Sequence, residues 1–188
     1  MLVVSHRGPY RFEANGDGSY TSERGAGGVA SALGALIEKS DRDVTWIAAA
    51  ISDDDRSAAA AGSLDDLDID LRLVGLDPDL HAKHYDVVSN SVLWFLFHDL
   101  FDRIRRPRFD HHFRDAWQAY RTVNAAFADA SADAAAPGEV VLVNDYQLSL
   151  TGARLRELRP DLRVAAYRRR VNELTRVDDV VRTSLPDP

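Results

Sequence analysis

The chain has 188 residues, of which 45% are hydrophobic and 28% charged, and this balance predicts a globular protein with one well-buried domain. Thirty acidic residues against 23 basic ones give a net charge of −7, which argues against a nucleic-acid partner but leaves phosphate binding by a single arginine open. The lack of cysteine excludes disulfides and thiolate metal sites. Without a run of eighteen apolar residues, we expect a cytoplasmic protein with no membrane association.

The predicted elements alternate between strands and helices. Residues 2–5 form an apolar run that predicts a buried parallel strand, and residues 8–25 are rich in Gly, Asn, Asp and Ser, which predicts a long loop or a small hairpin. Apolar residues at helical spacing then predict a helix over 27–37. Further strands are predicted at 44–47, 69–74, 140–143 and 162–167, and further helices from Ser52 and at 89–98, 110–130 and 147–158. The alternation predicts an α/β fold with a Rossmann-like, doubly wound parallel sheet that binds ligands at the carboxyl ends of its strands.

Polar residues follow two of the predicted strands. Arg7 lies just beyond the first strand, where its guanidinium could bind a phosphate or could simply be a surface group. Asp145 follows the strand at 140–143, where it could accept hydrogen bonds from sugar hydroxyls or cap the helix predicted from Gln147. Both residues are candidates for a ligand site.

A glycine-rich segment at 24–30 precedes the first predicted helix. Gly27 and Gly28 would leave backbone N–H groups free to meet a phosphate, although a plain flexible loop is an equal alternative. The segment also fits a dinucleotide-binding pattern, but about twenty residues separate Ser5 from Gly25, and in that pattern the glycines follow the strand directly. A dinucleotide site is therefore a weak alternative.

Aromatic residues are grouped with polar ones in the helix at 89–98 and just before it. Tyr85 and Trp94 could pack on a sugar ring, or they could belong to the apolar core. His81 and His84 have the spacing of one helix face, but no carboxylate pattern accompanies them. We therefore predict no metal site and no cofactor.

The order of these motifs resembles that of trehalose-6-phosphate synthases, which form glycosyltransferase family 20, and in particular their actinobacterial branch. The resemblance runs from about residue 2 to residue 164 in one register. It is carried by residues 2–9 (LVVSHRGP), 25–29 (GAGGV), 45–47 (TWI), 85–98 (YDVVSNSVLWFLFH), 117–124 (WQAYRTVN) and 143–148 (VNDYQL).

The resemblance implies the N-terminal, acceptor-side half of a GT-B fold and no metal ion. The family transfers glucose, with retention, from a nucleotide-glucose to glucose 6-phosphate in trehalose biosynthesis. By resemblance, Arg7 would bind the acceptor phosphate, Tyr85 and Trp94 would shape the acceptor pocket, and Asp145 would hydrogen-bond the sugar. Gly27 and Gly28 would lie against the donor diphosphate.

The chain departs from the family pattern beyond about residue 165. Counting from Asp145, the family's histidine falls on Arg169, and an arginine has no lone pair with which to accept a hydrogen bond. We therefore expect an acceptor-side domain at 1–166, a tail at 167–188 without family character, no donor-binding domain and no intact catalytic residue. The tail would result from a frameshift or truncation, or would be the natural end of a short paralogue.

The leading functional hypothesis is a trehalose-6-phosphate synthase domain that binds glucose 6-phosphate and is inactive as this chain, with weak binding of nucleotide-glucose. The alternatives are a non-catalytic domain that binds a sugar phosphate or a partner, and a pseudo-glycosyltransferase that couples a cyclitol. An NAD-dependent Rossmann domain is a distant fourth.

Overall fold

The fold is built on a parallel β-sheet. The structure is a computed structural model that describes residues 1–25, 43–98, 100 and 108–166. Its strands are β1 (Leu2–Val4), β2 (Tyr10–Ala14), β3 (Tyr20–Arg24), β4 (Thr45–Ala50), β5 (Asp70–Gly75), β6 (Val140–Val143) and β7 (Arg163–Ala166). Five of them form a parallel sheet in the order β5-β4-β1-β6-β7, while β2 and β3 form an antiparallel hairpin. This confirms the predicted α/β class and the small hairpin within 8–25.

Helices flank the sheet and extend beyond its carboxyl edge. They are α1 (Asp53–Ala60), α2 (Pro78–Ala82), α3 (Trp94–Phe97), α4 (His111–Ala134) and α5 (Thr151–Leu158), with a π-helical segment (Lys83–Leu93) and a 3₁₀ turn (Tyr146–Leu148). α2, the π-helical segment and α3 follow one another without a break, and we call this stretch, 78–97, the helical arm. The described part of the chain contains no helix that is both long and apolar enough to cross a membrane.

The order in which the chain adds strands to the sheet reverses at β1. From β1 the chain builds outward through β4 to β5, and then crosses to the other side to add β6 and β7. The topological switch point therefore lies between β1 and β6, which is where open parallel sheets place their ligand crevice. Arg7 follows β1 and Asp145 follows β6, so both predicted residues lie at this crevice.

Apolar strands bury both faces of the sheet. Leu2 and Val4 of β1 pack with Phe127 of α4 on one face, whereas Val3 packs with Trp46 and the hairpin residue Phe12 on the other. This alternation follows from the two-residue repeat of a strand, and residues on both faces are apolar because both faces are covered. A third cluster joins the helical arm to α4 and includes Val88, Leu93, Trp117 and Tyr120. The arm is thus held by α4 above the carboxyl edge of the sheet.

Helix starts follow the capping chemistry of the sequence. The Ser52 hydroxyl accepts from the Asp55 N–H and the Asp55 carboxylate accepts from the Ser52 N–H, both at 2.9 Å, which forms a complete capping box at α1. Asp55 also accepts from the Phe12 N–H at 3.1 Å, which ties the hairpin to α1. The helix predicted from Ser52 is therefore confirmed.

Several helix boundaries differ from the predictions. The helix predicted at 89–98 begins earlier, because Asp77 caps the N–H groups of Asp79 and Leu80 and Pro78 occupies the first turn. α4 extends to Ala134, four residues beyond its predicted end. The helix predicted from Gln147 is split into the 3₁₀ turn and α5, which begins at Thr151. The predicted helix at 27–37 and the tail at 167–188 lie outside the described residues.

Candidate functional site

A cleft of about 800 Å³ opens at the switch point. It is bounded by the segments that follow β1 and β6, by the hairpin, by the start of α1 and by the helical arm. The polar and aromatic side chains that line it include His6, Arg7, Asp54, Asp55, Tyr85, Asp145, Tyr146 and Gln147. Five parts of the fold thus border one concave site, as is usual for small-ligand sites.

Three of the residues predicted for the site come together here. Arg7, Tyr85 and Asp145 all line the cleft, although they are far apart in sequence. Trp94 lies elsewhere, on α3: it is 36% exposed, stacks on His98 with ring centroids 4.6 Å apart, and is not among the described residues that line the cleft. Its role in the acceptor pocket stays a prediction. Gly27, Gly28 and Arg169 lie outside the described residues.

Arg7 is fixed through its backbone, while its side chain is exposed. The buried Ser5 hydroxyl donates to the Arg7 carbonyl at 2.7 Å and accepts from the Trp46 indole N–H at 2.8 Å. The main chain is therefore held from inside the sheet while the guanidinium remains in solvent at the cleft. Such an arginine offers a planar, permanently charged fork to a phosphate or carboxylate.

Asp145 has a strained backbone. Its φ of 78° and ψ of 148° make it the one non-glycine residue with positive φ in the described ranges, and this conformation is largely restricted to glycine. Within the same ranges its side chain makes no capping hydrogen bond to the following turn, so the capping alternative raised from the sequence is wrong. Burial raises the pKa of the Asp145 carboxyl. A strained, partly buried carboxylate that does not cap its own helix is typical of a functional position.

Two buried residues of α4 hold the segment that contains Asp145. The Tyr120 hydroxyl donates to the Tyr146 carbonyl at 2.6 Å, and the Asn124 amide donates to the Gln147 carbonyl at 3.0 Å. The Asn124 oxygen accepts from the backbone N–H of Leu150 at 2.9 Å. Tyr120 and Asn124 are 0% and 1% exposed, so the hydrogen bonds are shielded from water.

Sequence reasoning gave Tyr120 and Asn124 no functional role. Both belong to the motif at 117–124, which contributed only to the resemblance. Their spacing of four residues does place them on one face of a helix, and the buried polar group of Asn124 requires partners. Those partners lie in the loop after β6, which packs against α4, so they are known only from the folded structure.

Tyr85 is packed among histidines on the inner side of the cleft. Its ring stacks on His6 with centroids 4.8 Å apart and on His81 with centroids 5.5 Å apart. The Nε2 atoms of His6 and His81 are 3.0 Å apart, within hydrogen-bond distance. The structure therefore links the end of β1 to the helical arm through three rings.

His84 is buried and uncharged. Its Nε2–H donates to the Gln147 carbonyl at 2.9 Å, and burial lowers its pKa to about 4. Its Nδ1 is buried without a hydrogen-bond partner among the described residues, which suits a neutral ring. Across the part of the chain that the structure describes, no group of three or more His, Cys, Asp or Glu residues is arranged to hold a metal ion.

The sheet and its switch point define a Rossmann-like α/β domain, with a polar cleft where such folds bind their ligands. The family model described as "Glycosyltransferase family 20" matches residues 1–168. The chain therefore belongs to glycosyltransferase family 20, as the motifs predicted.

Curated relatives carry the same family identity. The chain is 38% identical over 168 residues to the trehalose-6-phosphate synthase of Mycolicibacterium smegmatis, covering 89% of this chain and 31% of the relative. It is also 38% identical over 168 residues to the trehalose-6-phosphate synthase of Mycobacterium avium, covering 89% of this chain and 32% of the relative. The chain thus spans about a third of the length of the curated relatives that it matches.

Solved structures share the fold. The E. coli protein bound with UDP-2-fluoro glucose superimposes with a TM-score of 0.58 at 20% identity, over 88% of this chain and 32% of that one. The synthase from Burkholderia xenovorans in complex with glucose-6-phosphate gives a TM-score of 0.57 at 19% identity, over 88% and 33% of the two chains. At these identities the likeness shows the fold alone, and it confirms the predicted N-terminal half of a GT-B arrangement.

Proposed function

We propose that the cleft at the switch point binds glucose 6-phosphate as the acceptor of a trehalose-6-phosphate synthase reaction. In that reaction glucose passes from a nucleotide-glucose to glucose 6-phosphate with retention of configuration. The observation that carries the proposal is the convergence of Arg7, Tyr85 and Asp145 on one cleft from three separate segments. The family membership and the trehalose-6-phosphate synthases among the relatives support the same assignment.

Each of the three residues would act on a different part of the acceptor. Arg7 would bind the phosphate, because its guanidinium is exposed at the cleft and its backbone is fixed. Asp145 would accept hydrogen bonds from sugar hydroxyls, and the Tyr85 ring would pack on the sugar. A phosphate bound at one end and hydroxyls bound at the other would fix the acceptor's orientation, and positioning of this kind lowers the barrier to transfer.

We further propose that the 188-residue chain binds the acceptor but does not transfer glucose. Arg169 occupies the expected position of the family's histidine and cannot accept a hydrogen bond from the transferring sugar. Donor contacts at Gly27 and Gly28 remain part of the proposal, with weak binding of nucleotide-glucose. A non-catalytic sugar-phosphate-binding domain is the second candidate. It is favoured by Arg169, which stands at the position of the family's histidine.

The domain division also stands as a proposal: an acceptor-side domain at 1–166 and a tail at 167–188 that has left the family pattern. Its support is that the family match covers residues 1–168, close to where the motifs stop. Translation of the gene in its other two reading frames tests the frameshift explanation. A frame that restores the family's motifs after residue 165 would support it, and two frames without them would point to a natural short paralogue.

Isothermal titration of the chain with glucose 6-phosphate tests the acceptor site. We expect binding that weakens at least tenfold in Arg7→Gln, because a charge-assisted contact to phosphate is lost. Arg72→Gln is the matched control, since Arg72 is an exposed arginine on β5 that pairs with Asp70 and lies outside the cleft lining. Equal affinity in Arg7→Gln, or no binding at millimolar ligand, would contradict the proposal.

Addition of a nucleotide-glucose to the same samples tests the catalytic half. We expect no trehalose 6-phosphate above the level without protein. Appreciable product would show that the chain is a working transferase and would overturn the second proposal, while leaving the acceptor site intact.

A further inference from the structure

Two histidines contact Tyr85 from different elements. His6 follows the central strand β1 and is 1% exposed, whereas His81 lies on α2 of the helical arm and is half-buried. His6 and Tyr85 line the cleft, and His81 stacks on Tyr85. The interplanar angles of 13° for His6–Tyr85 and 11° for His81–Tyr85 show that the three rings lie nearly parallel. The orientation of Tyr85 is thus set by a contact between the sheet and the arm.

The contact between the two imidazoles depends on their protonation. Their Nε2 atoms lie 3.0 Å apart, so one ring must donate its proton while the other accepts it through a lone pair. A single added proton can enter at an Nδ1 atom and leave this bond in place. When both rings are charged, both Nε2 atoms carry hydrogen, no acceptor remains between them, and two like charges face each other.

The surroundings of the pair also oppose charge. Burial lowers the pKa of His6 well below its ordinary value, and repulsion from His84, where that ring is charged, and from the Arg7 cation acts in the same direction. Burial likewise lowers the pKa of His81. Of the nearby charges, the Asp86 carboxylate raises this pKa, whereas the Arg56 and Arg7 cations lower it. The Nδ1 atom of His6 is buried with no hydrogen-bond partner among the described residues. The uncharged pair is therefore the state that the fold accommodates.

We propose that His6 and His81 are positioning residues, which orient Tyr85 in the cleft through their mutual hydrogen bond and release it when both rings become charged. The inference rests on the proposed function, since the ligand that Tyr85 would meet is the proposed sugar phosphate. It adds an acid-sensitive contact to the acceptor site, made by two residues that act through Tyr85.

Two substitutions of His81 separate hydrogen bonding from packing. His81→Gln removes one titrating ring but keeps an amide that can donate a hydrogen bond to His6 or accept one from it. His81→Phe keeps a ring beside Tyr85 but removes both nitrogens. At pH 7.5 we expect His81→Gln to bind glucose 6-phosphate within about threefold of the wild type, and His81→Phe to bind at least fivefold more weakly. A packing role predicts the reverse order, and that order would overturn the proposal.

The pH profile of binding supplies the second readout. Because burial lowers the pKa of both rings below the ordinary value, the profile is measured from pH 7.5 to 4. Over this range the phosphate of the ligand also takes up a proton, but this contribution is common to all variants. We expect the wild type to lose at least fivefold more affinity than His81→Gln over this range. The exposed His112, replaced by Gln, is the control and should follow the wild type. Identical profiles for the wild type and His81→Gln would contradict the proposal.

A ligand-free measurement keeps the inference separate from the proposed function. NMR signals of the Tyr85 ring, assigned by their loss in Tyr85→Phe, are followed from pH 7.5 to 4 while circular dichroism verifies that the chain stays folded. We expect the ring signals to move in the wild type together with the imidazole signals, and to stay in place in His81→Gln. If they move but no glucose 6-phosphate binds at any pH, the proposed function fails and the positioning contact stands. A Tyr85 ring that stays unmoved while both histidines titrate would overturn the inference.

Discussion

The backbone N–H of Asn144 donates to the carbonyl of Val4 at 2.7 Å, and this bond joins the carboxyl ends of β6 and β1. The two strands are adjacent because the chain returns to the middle of the sheet after it has built β4 and β5. One residue beyond Asn144 lies Asp145, and three residues beyond Val4 lies Arg7. This interstrand hydrogen bond therefore joins the two strand ends after which the two proposed ligand-binding residues follow.

The strained backbone of Asp145 predicts a conflict between stability and binding. In Asp145→Gly the strain is relieved, since glycine adopts positive φ freely, and the carboxylate is lost. We expect the free energy of unfolding to rise by about 1 kcal/mol, because strain of roughly 1–3 kcal/mol is partly offset by the greater chain entropy of glycine. Glucose 6-phosphate affinity should fall at the same time. Urea denaturation and calorimetric titration measure the two effects.

Asp145→Asn is the companion variant for that experiment. It removes the charge while keeping a residue that tolerates positive φ, so its stability should stay near that of the wild type and its affinity should fall. A less stable Asp145→Gly would show that the backbone is not strained.

Replacement of the Asn124 side chain by alanine should strongly destabilise the fold. Asn124→Ala would leave unsatisfied the part-buried N–H of Leu150, the buried N–H of Thr151 and part of the bonding to the Gln147 carbonyl. We expect a cost of about 3 kcal/mol, since each orphaned buried group costs roughly 1–3 kcal/mol. Asn15→Ala is the control: Asn15 also bonds to neighbouring side chains, but it is exposed, and its loss should cost under about 1 kcal/mol. Similar losses in both variants would show that α4 does not hold the loop.

The buried His84 predicts an acid-dependent loss of stability. Its pKa is about 4 in the folded chain against an ordinary value of 6.5, so between these pH values the unfolded chain binds more protons. The stabilisation is therefore complete above pH 6.5 and declines as the pH falls towards 4, by about 3 kcal/mol at roughly 1.4 kcal/mol per pKa unit. Urea denaturation at a series of pH values measures this decline.

His84→Gln tests the origin of that decline. The amide can still donate to the Gln147 carbonyl but does not titrate, so the stability of this variant should depend less on pH between 6.5 and 4. The exposed His112→Gln variant should keep the wild-type dependence. An unchanged slope in His84→Gln would assign the acid sensitivity to other groups.

Local patterns were enough to predict the fold class and three members of the cleft. The apolar runs of β1 and β6 identify buried strands, and the rule that ligands bind at strand ends then selects Arg7 and Asp145. Tyr85 was predicted as an aromatic side chain grouped with polar ones, and the family resemblance implied the same role. Asp77 followed by Pro78 also indicates the early start of the helical arm, which the apolar run at 89–98 does not show.

Long-range contacts account for what the sequence did not predict. The ring contacts of His6 bring together residues 75 positions apart, and no spacing along the chain indicates them. The hydrogen bonds of Tyr120 and Asn124 to the loop after β6 are of the same kind, because they depend on how α4 packs against the sheet. The strain at Asp145 could not be predicted either, since its positive φ follows from the placement of that loop and not from the residue's own preference.

A crystal structure of the chain with glucose 6-phosphate tests the central claim most directly. We predict the phosphate within hydrogen-bond distance of the Arg7 guanidinium, sugar hydroxyls on the Asp145 carboxylate, and the Tyr85 ring beside the sugar. A sugar phosphate bound away from the β1–β6 switch point, or a cleft left empty at saturating ligand, would contradict the account.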